Sequence, residues 1–134
     1  MEVKKINSVN STLLKKDHPY LQGAWEPFYD EYEVINLDCV GELPKDISGI
    51  YIRNTENQIH EPIGRFHPFD GDGLLHSIIF QNGKADYRNK FIQTDGFLVE
   101  EKFKKSKWAG LMERPGVSEL PGWGAQGCLK DTSS

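Results

Sequence analysis

His67, Asp70, Asp72 and His76 fall within one stretch, FHPFDGDGLLHSIIF, at residues 66–80. Carboxylates and imidazoles at that density could hold a metal, sit beside a phosphate loop or simply turn the chain. A calcium loop needs oxygen ligands at alternating positions, glycine at the sixth and a bidentate Glu at the twelfth. Counted from Asp70, the fifth position is Leu74, the sixth Leu75 and the twelfth Gln81, so the spacing fails three times. A phosphate loop needs GxGxxG or GxxxxGK[ST], in which glycines let backbone amides approach the anion. Neither string occurs. What remains is a turn in which the glycines take positive φ and the aspartates accept hydrogen bonds from nearby amides.

Other candidate groups are scattered. His18, His60, His67 and His76 show no i, i+2 or i, i+4 pair that would make a local ligand set. His76 shares one face of an alternating run with Leu74, Ile78 and Phe80, which suits a hydrogen-bonded lining residue. Ser48, Ser77 and Ser118 lack a GxSxG elbow, so nucleophilic hydrolysis has no signature. Glu56 and Glu61 could join Asp70 and Asp72 as acid–base pairs, but sequence does not set their separations. Trp25, Trp108 and Trp123 read as packing anchors. Cys39 and Cys128 form neither CxxC nor CxxH, which argues for reduced thiols and a cytoplasmic location.

These groups must be positioned by a chain of 134 residues, enough for one modest domain. Sixteen basic against twenty acidic residues give a net charge of −4, which argues against a nucleic-acid partner. The only dense basic run, Lys102 to Lys107, follows Glu100 and Glu101 and reads as a solvated face. The amino-terminal sequence has no apolar segment of signal-peptide length, and no stretch reaches the ~18–20 apolar residues of a membrane span.

Residues 1–18 are polar and read as a mobile leader. Residues 32–40 suit a short strand, Ile50-Tyr51-Ile52 a second, and the polar run from Asn54 to Gln58 should end it. Residues 74–80 and 85–94 alternate with period two around Asn82-Gly83, the strongest hairpin signal in the chain. Residues 98–108 could form a short amphipathic helix, and residues 110–134 read as loop. Three or four strands with little helix give an all-β class.

Several strings, taken together, resemble the amino-terminal part of the carotenoid cleavage oxygenases. That family includes apocarotenoid oxygenases, lignostilbene dioxygenases and the retinal-pigment-epithelium isomerase. The strings are PYLQGAWEP at 19–27, GELPKDISGIYIRN at 41–54, FDGDGLLHSIIFQNGKADYRNKFIQT at 69–94 and Glu100. They follow the family's order of N-x-Y-L-x-G-x-x-x-P, L-P-x-x-L-x-G-x-Y-x-R-N, F-D-G-D-G-M-x-H and Y-x-N-R-F. Two departures stand out. Thr55, Glu56, Asn57 and Gln58 replace a Gly-Pro-Asn-Pro turn, and Leu74 replaces a methionine.

The resemblance implies a seven-bladed β-propeller, of which residues 19–134 would be the first, incomplete part behind the 1–18 leader. It implies Fe(II) on the propeller axis, held by four histidines that glutamates orient. The substrates would be O₂ and an extended conjugated molecule, a carotenoid, apocarotenoid or stilbene, cleaved at a carbon–carbon double bond. The family's ligand motifs, beginning with an A-H-P-K-like stretch, lie downstream, and His76 is not at a ligand position. No catalytic, cofactor-binding or metal residue is therefore expected in this chain, and the expectation is a dioxygenase fragment inactive by itself. The rival expectation is a non-catalytic β-rich binding module. The isolated fragment would expose sheet edges prone to self-association, whereas a monodisperse, cooperatively melting monomer would favour the module.

Overall fold

The computed structural model describes residues 1–13, 17–122 and 130; Trp123, Cys128 and residues 131–134 lie outside that set. Its centre is a five-stranded antiparallel sheet in the order β1-β2-β5-β4-β3. The strands are β1 (Glu2–Ser8), β2 (Asp30–Ile35), β3 (Gly49–Asn57), β4 (Asp72–Gln81) and β5 (Lys84–Phe91), followed by one helix, α1 (Asp95–Phe103). The all-β reading therefore holds for the described residues, with one helix added.

The β4–β5 hairpin forms where the alternation places it, in register from Leu74↔Phe91 to Gln81↔Lys84. Asn82 and Gly83 have φ of 54° and 73°. Two successive positive φ angles match the twist of the flanking strands, as a type I′ turn requires.

Three boundaries differ from the sequence reading. β3 continues through Thr55, Glu56 and Asn57, which pair with Leu74, Gly73 and Asp72. The ladder outweighs the poor strand propensity of these polar residues, and the Thr55 hydroxyl adds a bond to the Leu74 carbonyl at 3.1 Å. β2 begins and ends earlier than expected, because Asn36 takes a left-handed φ of 58° and turns the chain away. α1 starts at Asp95 because the Thr94 hydroxyl accepts from Phe97 N at 3.0 Å. It stops at Phe103, where Lys104 adopts a left-handed cap.

β1 lies inside the segment read as leader. Its side chains are all exposed, and pairing with β2 rather than burial holds it. The chain then turns inward, so that Val9 and Leu13 are buried.

The core is small: Val9, Ile59, Leu74, Phe91 and Phe97, with Tyr29 against it. β2 and β5 share only two ladder pairs, Glu33↔Arg88 and Val34↔Tyr87. Buried side chains extend that join. Asn89 accepts from Tyr32 N at 2.6 Å and donates to the Asp30 carbonyl at 2.9 Å, while Glu31 accepts from Phe91 N at 2.9 Å. These bonds satisfy strand-edge groups that would otherwise be buried without partners.

Candidate functional site

Asp70 closes a single 3-10 turn, Pro68–Asp70, and Asp72 opens β4, so DGDG is the corner between loop and hairpin. The site does not work as the sequence suggested. Gly71 has φ of −67°, and Gly73 is not among the positive-φ glycines. Gly71 is small because of a close approach: a Cβ there would lie 2.6 Å from the backbone N of Asn57 and 2.8 Å from its carbonyl carbon.

The aspartates bind distant chain rather than neighbouring amides. Asp70 Oδ1 accepts from Leu111 N at 2.8 Å, and Asp72 Oδ2 lies 3.5 Å from the Lys130 ammonium. Glu100, on the inner side of α1, uses both oxygens. Its Oε1 accepts from Lys107 N at 2.9 Å and its Oε2 lies 3.2 Å from Lys130 Nζ. All three carboxylates are buried. Burial pushes Asp70 above the ordinary carboxylate range, against the Leu111 amide and the charges of His67 and Lys130. Gly110 makes room for it, since a Cβ at that position would sit 2.1 Å from Asp70 Oδ2.

His60 borders this cluster. It is buried and shares a 2.6 Å hydrogen bond with the Thr12 hydroxyl through Nδ1. Burial lowers its pKa, Glu100 acts to raise it and Lys130 acts to lower it.

The other imidazoles are also committed. His76 is hydrogen-bonded on both ring nitrogens, to the Tyr87 hydroxyl at 2.7 Å and to Thr55 Oγ1 at 3.0 Å. Its burial, with Arg53 nearby, lowers its pKa. His18 Nδ1 accepts from Tyr20 N and its ring packs on Phe66. His67 Nδ1 accepts from Phe69 N. Among the described residues, no group of three or more His, Cys, Asp or Glu could hold a metal ion. A centre of four imidazoles does not fit these histidines, which point into four separate hydrogen-bonding environments.

The remaining candidates serve structure. Ser77 donates to the Arg88 carbonyl, and Ser118 accepts from Ala109 N. Ser48 and Cys39 are exposed. Glu56 and Glu61 are half-buried. Trp108 is buried, with its indole N–H donating to the Pro121 carbonyl, whereas Trp25 is exposed beside Tyr20. A cleft of roughly 290 Å³ separates Trp25 and Phe28 from Arg53 and His76. Sequence reasoning missed Glu100, Lys107 and Lys130 as one cluster. The only local signal was Glu100 on a short helix, since its partners come from loop sequence without periodicity. No helix among the described residues is long and apolar enough to cross a membrane.

Known proteins are similar to much of this chain in sequence and in fold. A carotenoid 9,10(9',10')-cleavage dioxygenase of Pisum sativum is 34% identical over 104 residues, covering 77% of this chain and 19% of that protein. An isoeugenol monooxygenase of Pseudomonas nitroreducens is 31% identical over 121 residues, covering 90% of this chain and 25% of that protein. The crystal structure of a lignostilbene dioxygenase from Pseudomonas brassicacearum superposes with a TM-score of 0.65 at 30% identity, over 69% of this chain and 20% of that one. This chain thus spans about a fifth of the length of the pea relative. The profile of the family described as RPE65, retinal pigment epithelial membrane protein, matches residues 25–131. With that match spanning most of its length, the chain belongs to the retinal pigment epithelial membrane protein family of carotenoid and stilbene cleavage oxygenases.

Proposed function

We propose that this chain is a scaffold portion of a non-haem iron dioxygenase that cleaves a carbon–carbon double bond in a carotenoid, apocarotenoid or stilbene-type substrate. In this reading the five-stranded sheet belongs to a β-propeller, and Fe(II) and its imidazoles are supplied by sequence outside these residues. Imidazole ligands with open coordination positions suit iron(II) and dioxygen chemistry. The observation that carries the reading is the family match across residues 25–131, combined with four histidines already engaged by Thr12, Tyr20, Phe69, Tyr87 and Thr55.

Elemental analysis and oxygen-electrode measurements test it. The purified 134-residue chain is expected to hold no stoichiometric iron and to consume no O₂ with a stilbene or an apocarotenoid. Iron near one equivalent together with turnover overturns the proposal.

The same reading predicts how the isolated chain behaves. Ile50, Tyr51 and Ile52 on the edge strand β3 are each more than half exposed, and Ile35 and Ile79 add apolar surface to the sheet. An open edge of that composition pairs readily with another copy. Sedimentation is expected to show concentration-dependent self-association, reduced by Tyr51→Lys, which places a charge on the edge. A monomer at every concentration contradicts this.

A further inference from the structure

Residues 104–122 form a strap without long regular structure, yet its inner part, residues 106–110, is buried. Bonds within the strap hold its shape. Glu119 N donates to the Lys107 carbonyl at 2.8 Å, both Lys105 and Lys107 pair with the Glu119 carboxylate, and Ser118 caps Ala109 N. What attaches it to the rest of the protein is different. Lys107 N reaches Glu100 on α1, and Leu111 N reaches Asp70 beside β4. Lys130 N donates to the Ala109 carbonyl at 2.9 Å.

The Lys130 side chain then passes beneath the strap with only 5% of its surface exposed. Its ammonium faces Asp72 at the start of β4 and Glu100 on α1, with Asp70 on the 3-10 turn and His60 after β3 close enough to interact electrostatically. Lys107, the strap's own buried cation, is directed to Glu119 instead. Buried ions are costly unless matched by opposite charge, so one ammonium balances carboxylates from two separate elements.

We propose that Lys130 is an electrostatic latch that clamps the strap over the end of the sheet by balancing Asp72 and Glu100. Glu100 makes the coupling direct: one oxygen holds the strap's backbone and the other holds the latch.

The sign of the pH dependence follows from the geometry. Burial alone would lower the pKa of the Lys130 ammonium, but Asp72 and Glu100 more than offset this, and the net direction is upward from 10.5. A raised lysine pKa stabilises the fold at pH values below the unfolded one and loses that contribution as pH rises through the folded one.

Lys130→Met in the full chain keeps the buried stem and removes the charge. Thermal unfolding is expected to show a midpoint lower by about 10 °C or more near neutral pH. The gap from the wild type should narrow as the pH rises above 10.5, where the wild type loses the contribution of its charged lysine. Asp70 and His60 also feel the Lys130 charge, so a triple variant isolates the latch. Adding Asp72→Asn and Glu100→Gln to Lys130→Met should recover most of the loss. An unchanged midpoint, parallel profiles or a triple variant no more stable than the single one overturns the proposal. If Lys130→Met fails to fold at any pH, the triple variant decides: recovered folding supports the latch, and continued failure overturns it.

Discussion

Gly71→Ala is expected to destabilise the chain by about 3 kcal/mol, because the added methyl has no free volume to enter. The ideal Cβ position lies 2.6 Å from Asn57 N, 2.8 Å from its carbonyl carbon and 3.0 Å from its oxygen. These are backbone atoms of the last residue of β3, which pairs with Asp72 and whose side chain accepts from Phe28 N at 2.7 Å. Neither strand can retreat without breaking the corner that places Asp70 and Asp72. Chemical denaturation of Gly71→Ala beside Gly64→Ala checks the argument. Gly64 is exposed, has no atom within 4 Å of its Cβ position and is not among the positive-φ glycines, so its substitution should be nearly neutral. Equal losses from the two would show that glycine entropy, rather than close approach, sets the effect.

Phe91→Ala is expected to cost about 3–5 kcal/mol, the range for truncating a buried aromatic ring. Phe91 is 2% exposed, pairs across the hairpin with fully buried Leu74 and stacks on Phe97 with ring centroids 6.0 Å apart. It therefore joins the sheet to α1 within a core of few residues, so the cavity cannot be filled from a second layer. Its N–H to Glu31 survives the substitution, and the loss reports packing alone. The control is Phe69→Ala, since Phe69 is 53% exposed and should lose little. A small loss at Phe91, measured by the denaturation midpoint at unchanged slope, would mean that the core sits elsewhere.

The first of these predictions concerns a corner whose identity is visible in sequence while its workings are not. DGDG was recognisable as neither a calcium nor a phosphate loop, because those chemistries demand local spacing that can be counted. The role of its glycine was misjudged. A tight turn and a close approach both select glycine, and only the position of Asn57, brought in by β3, separates them. His76 is a hydrogen-bonded lining residue, in keeping with its place on an alternating apolar face. Its actual partners, Tyr87 and Thr55, follow from the registers of two different strand pairs.

Local chemistry in the sequence was sufficient for the β4–β5 hairpin, because alternation and an Asn-Gly turn specify it within eighteen residues of contiguous chain. The ordered strings from residues 19 to 100 were likewise sufficient for the family, later matched across residues 25–131. Tertiary structure alone decided that β1 pairs with β2, that polar Thr55 to Asn57 continue β3, and that Asp70 and Asp72 meet Leu111 and Lys130, 41 and 58 residues away. A strand's period and a turn's φ angles are properties of neighbouring residues. The partner of a buried carboxylate depends on where a loop without periodicity returns, which is set by the free energy of burying and balancing charge in the assembled fold.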